Sequence, residues 1–260
     1  MLSTVEKMLM HKHINAKERE YEAFMGGAVL PTMSLRPLSI DELPRNPAWA
    51  TVMYDPRADR YELQVFDHIH DSNVVISSDY LLFHEFTHAL DISLYGAGDV
   101  NRYNALRGYL EYHAAQVEMM KLVGASKFTD SIEFSMHDTI TDIEGPKSVL
   151  EYVEHGIEVV TSAMAKPGFK TEIAQVFHAV GALYNHLGRL SICQMASPDF
   201  DQYAKNLLAR CPGVELFGQG AWSLIVNVFN GIMTEPAIQT SGQLYLGTLF
   251  QLFKSYDIQP

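Results

Sequence analysis

The sequence predicts an α+β protein that is predominantly α, with a small N-terminal β-sheet ahead of a long helical region. Three observations carry this. Residues 51–54 and 61–66 are β-prone runs flanking Asp55-Pro56-Arg57-Ala58-Asp59, the residue types of a hairpin turn. From Pro146 onward, apolar residues recur at helical spacing between Pro and Gly breaks. A 260-residue chain with 47% apolar and 19% charged residues is also an ordinary globular composition, long enough for a substantial core.

Taken in order, residues 3–25 have the charged amphipathic pattern of a helix. Residues 26–48, with Gly26-Gly27, Pro31, Pro37, Pro44 and Pro47, read as an irregular connection. The hairpin follows, and Val74-Val75-Ile76 adds a short β-branched strand. Ser77-Ser78-Asp79 supplies N-cap chemistry for a helix over 79–94 that Gly96 or Gly98 ends. Asp99 caps the next helix, 101–123, which stops at Gly124. Residues 128–143 are ambiguous, and 132–136 alternate like an edge strand. Helices are expected near 147–165, 170–195, 199–210, 220–233 and 238–255. The division that follows is 1–125 for the sheet and its helices and 126–260 for a helical region, with one compact domain as the alternative.

Charge and composition remove several function classes. A net charge of −12 argues against nucleic acid or an anionic membrane surface as the main partner. Cys193 and Cys211 make neither a disulfide framework nor a cysteine metal site. The N-terminus lacks the apolar core of a signal peptide, and no run of 18 apolar residues occurs. The expected location is therefore cytoplasmic, with leaderless export compatible. His68-Ile69-His70 and His11-Lys12-His13 read as solvated segments. Glu151, Glu154 and Glu158 should form one wet helix face.

The chemistry is concentrated in His84-Glu85-Phe86-Thr87-His88, an H-E-x-x-H set. Random shuffling of this composition produces it roughly 0.03 times per sequence. Histidines four apart on a helix lie one turn above each other, so both imidazoles reach one metal ion. Glu85, turned part of the way round, is placed to hold water rather than metal. Burying two histidines and an acid is costly unless something satisfies them, and a metal does so directly. The third ligand is expected on the following helix. Glu111 and His113 are two apart and cannot both face the metal, whereas Glu111 and Glu118 share a face with Ala115 between them. Glu111 is the first choice, Glu118 a supporting partner or fallback, and His113 the minor alternative. The small Ala114 and Ala115 would let this helix approach the metal helix closely. Asp91 follows His88 on the metal side and could accept a hydrogen bond from a ligand imidazole.

H-E-x-x-H followed by a helical Glu resembles the gluzincin branch of the zinc metallopeptidases, over about residues 74–120. Asp91 and Leu94 stand where metzincins carry glycine and a third histidine, which excludes that branch. The resemblance implies a zincin-like fold. It implies one zinc ion on His84, His88 and Glu111, with Glu85 as general base in peptide-bond hydrolysis. It also implies a Tyr or His near the oxyanion, for which Tyr103, Tyr109 and His155 are candidates, with His178 and His186 on later helices. The expected partner is a peptide or protein substrate. Two other readings stand beside it: a zinc hydrolase of a non-protein amide, and a helical interaction or regulatory protein with structural or absent zinc.

Overall fold

The computed structural model describes residues 3–39, 49–66 and 72–258, with the backbone alone for 72–78. His68 and His70 fall outside the described residues, as does part of the 26–48 connection. The protein is α+β and predominantly helical, and it divides into two compact units. The first comprises residues 1–103, 117–130 and 141–146; the second comprises 104–116, 131–140 and 147–260.

In the first unit, helix α1 (Thr4–Phe24) opens with a reciprocal capping box between Ser3 and Glu6. Strands β1 (Met33–Leu38), β2 (Ala50–Asp55) and β3 (Arg60–Phe66) make one sheet in the order β1-β3-β2. β2 and β3 are the expected antiparallel hairpin, and β1 runs parallel to β3, pairing Met33 with Tyr61 through Leu38 with Phe66. The irregular connection expected over 26–48 thus contains a strand. Pro37 lies inside it, and an edge strand accommodates proline because its outward side needs no ladder donor.

Helix α2 (Ser72–Asp91) follows and runs into a π-helical turn, Ile92–Gly96. The strand expected at 74–76 and the start expected at 79 are both corrected: the backbone is already helical from Ser72. A three-residue β-branched run is a weak prior that context overrides. Tyr21 of α1 packs edge-on against Phe83 and Phe86 of α2, with ring centroids 5.4 and 5.6 Å apart. Its hydroxyl donates to Thr87 Oγ1 at 3.1 Å. Lys17 adds a polar tie, 2.5 Å from Asp79 and 2.8 Å from Glu20.

Helix α3 (Val100–Leu122) contributes to both units. Asp99 caps it by accepting from the Asn101 and Arg102 amides, and Gly124 ends it at φ +86°, a conformation only glycine adopts freely.

The second unit is built from helices α4 (Val149–Met164), α5 (Ile173–Ala196), α6 (Asp201–Arg210), α7 (Gly213–Val228) and α8 (Glu235–Ser255). A short hairpin, β4 (Thr139–Asp142) and β5 (Gly145–Ser148), precedes them, so the strand expected at 132–136 lies further along the chain. α7 starts earlier than expected and breaks at Gly218, φ +77°. Pro236 stands in the first turn of α8, where its missing N–H costs nothing. Gly188 of α5 lies hard against α3, where a Cβ would come within 2.2 Å of the Tyr112 carbonyl oxygen and 2.9 Å of Ala115 Cβ. The small face of α3 at Ala115 therefore meets α5. Cys193 and Cys211 are buried free thiols, each pushed up to about 12 by burial.

Candidate metal centre

α2 is buried along Leu82, Phe83, Phe86, Ala89 and Leu90, while Leu81, His84, Glu85 and His88 form a half-buried stripe. The spacing i, i+3, i+4, i+7 is one helix face, so the same periodicity that anchors the helix presents its polar groups on the accessible side.

Along this stripe His84, Glu85 and His88 bring one ligating atom each within 4.8 Å of one another, the cluster of this kind among the described residues. His84 Nε2 and His88 Nε2 are 3.1 Å apart. Two imidazole nitrogens bound to one tetrahedral zinc at 2.0–2.1 Å would be separated by about 3.3–3.4 Å. Nitrogens this close need something positive between them, either a proton on one ring or a metal ion.

The other nitrogen of His84 decides the tautomer. Nδ1 lies 2.8 Å from Glu118 Oε2, and Glu118 is 2% exposed. A carboxylate accepts and does not donate, so His84 Nδ1 carries a proton and Nε2 is the nitrogen that faces His88. A carboxylate on the far ring nitrogen orients metal-binding histidines in this way. Glu118 is thus in contact with His84, while the cluster does not include it as a direct ligand.

Glu85 is anchored from the sheet. Its Oε2 accepts a 2.6 Å hydrogen bond from the Val52 amide of β2. Nothing in the sequence signals this contact, since every residue except proline carries such a donor.

The remaining candidates distribute as follows. Asp91 is 1% exposed, and its charge, after burial, pushes the Tyr21 hydroxyl well above the ordinary tyrosine range. Tyr103 stacks edge-on with Tyr54 at 5.2 Å. Glu111 belongs to the second unit, where its Oε2 accepts from Asn185 Nδ2 at 2.9 Å and Gly181 leaves room beside it. Tyr109 and His113 stack at 5.4 Å within the same unit, with hydroxyl and Nδ1 3.3 Å apart. His155 is exposed on α4 and pairs with Glu158 at 3.3 Å. His178 is exposed on α5, and His186 is fully buried with neither ring nitrogen hydrogen-bonded. Glu151 and Glu158 are exposed and Glu154 is half-buried against Arg210. His13, expected at the surface, is half-buried, whereas His11 and Lys12 are exposed.

No helix among the described residues is long and apolar enough to cross a membrane. No protein-family model, curated protein or solved structure matches the chain.

Proposed function

We propose that this protein is a zinc-dependent hydrolase of the zincin kind, acting on peptide bonds, with His84 and His88 as ligands and Glu85 as general base. The observation that supports this most is the convergence of the two Nε2 atoms at 3.1 Å while Glu118 holds the proton of His84 on Nδ1. The ring is held at Nδ1, which directs its Nε2 at the same point as that of His88. Glu111, from the sequence pattern, is proposed as the third protein ligand.

Zinc, when bound, supplies Lewis acidity and lowers the pKa of water towards about 7. Glu85 takes a proton from the attacking water and carries it to the leaving amine nitrogen. Glu118 fixes the orientation of the His84 ring, and Val52 holds one oxygen of Glu85. A peptide substrate is favoured because β2 is an edge strand beside this face, with outward backbone groups on either side of the Val52 amide that Glu85 occupies, and an extended chain binds through such groups.

Glu85→Gln should retain stoichiometric zinc and lose turnover of a peptide library by several orders of magnitude. Loss of zinc in that variant would make Glu85 a ligand rather than the base. Full turnover would refute the assignment. Glu111→Ala should weaken zinc binding, and an unchanged affinity would transfer the third-ligand role elsewhere.

A further inference from the structure

The ladder between β2 and β3 fixes which amides of β2 face outward. Phe66 N donates to Trp49 O at 2.9 Å, which makes 49 and 66 a hydrogen-bonded pair. Ala50 pairs with Val65, Val52 with Leu63 and Tyr54 with Tyr61. Antiparallel pairs alternate, so 51–64, 53–62 and 55–60 carry the ladder bonds and the N–H groups of Ala50, Val52 and Tyr54 point away from β3. An outward edge amide ordinarily meets water. That of Val52 instead donates to Glu85 at 2.6 Å, a short charge-assisted bond.

We propose that the backbone N–H of Val52 is a positioning group for Glu85, a role that rests on Glu85 being the general base proposed above. A glutamate carries three side-chain torsions, and a base must offer one oxygen lone pair in a defined direction to act on a water proton. Fastening the other oxygen to a strand amide removes that freedom. The donor belongs to the sheet and the acceptor to α2, so the bond also sets the distance between the edge strand and the base. Because the donor is backbone, no side-chain substitution at position 52 deletes it except proline. Proline is tolerated here because the ladder takes no donor from Val52.

Two measurements on the full chain test this. The first is amide hydrogen exchange by NMR, which needs neither metal nor activity. Val52 should exchange about 100-fold more slowly than the outward Tyr54 amide, and Glu85→Ala should abolish that difference. Equal rates in the unsubstituted protein, or protection unchanged by Glu85→Ala, would overturn the anchor. The second is kinetic. Val52→Pro should lower kcat about 10-fold or more, with KM within about twofold and zinc content unchanged, whereas Val52→Ala, which keeps the amide, should keep the slow exchange at position 52. Unchanged kcat in a zinc-loaded Val52→Pro protein would overturn the positioning role. If Glu85→Gln itself retains full turnover, the hydrolase reading falls and the role with it, even with Val52 protected. If Glu85 is essential but Val52 unprotected, only the anchor falls.

Discussion

Glu118 Oε2 lies 2.8 Å from His84 Nδ1, across 34 residues of sequence, and joins α3 to the histidine-bearing face of α2. An imidazole must present the right nitrogen in the right orientation to bind a metal, and a buried carboxylate on its far nitrogen meets both requirements.

Removing that carboxylate should therefore weaken metal binding without removing a ligand. Glu118→Gln can still accept from Nδ1 through its amide oxygen but loses the charge, so zinc affinity should fall about 10-fold. Glu118→Ala, which loses both, should fall about 100-fold. Competition titration against a chromophoric chelator reads both constants. Equal affinities in all three proteins would show that Glu118 has no influence on the metal.

The close approach at Gly188 predicts a stability effect remote from the chemistry. A Cβ there would press on the Tyr112 carbonyl oxygen at 2.2 Å, and a backbone atom cannot swing aside as a side chain does. Gly188→Ala should cost about 3 kcal/mol in urea denaturation. Gly247 lies inside α8 with nothing within 4 Å of an added Cβ, so Gly247→Ala should stabilise by up to about 1 kcal/mol. A mild effect at 188 would mean that α3 and α5 have room to separate.

His186 gives the helical unit an acid sensitivity. Burial, and then Arg189, lower its pKa from 6.5 to about 3. A base with a depressed folded-state pKa binds fewer protons folded than unfolded. Its contribution is therefore intact above about pH 6.5 and is progressively lost as the pH falls towards 3. Between pH 8 and pH 5 the loss from this group should be about 2 kcal/mol. His186→Leu should flatten that part of the stability–pH curve relative to the parent. Parallel curves for the two proteins would show that His186 is not buried neutral.

The local features were the legible ones. Asp99 and Gly124 bound α3 through cap and turn chemistry that acts within a few residues, and the Asp55–Asp59 turn marks the hairpin in the same way. H-E-x-x-H reads correctly as one helix face because 3.6-residue periodicity is also local. The misses involve partners distant in sequence. β1 was hidden behind Pro37, since its pairing depends on β3 and not on its own composition. Val74-Val75-Ile76 has strand propensity and lies on a helical backbone. Ala115 was expected to ease α3 against the metal helix, but it meets Gly188, and helix spacing alone does not identify the neighbour a small face will find. The Val52–Glu85 bond leaves no mark in the sequence.

Zinc binding by the purified protein, compared with a His84→Ala, His88→Ala double variant, tests the central claim most directly. One zinc ion per chain, lost in the double variant while both proteins keep the same fold by circular dichroism, is the result predicted. No stoichiometric zinc, or equal zinc in the two proteins, would contradict it.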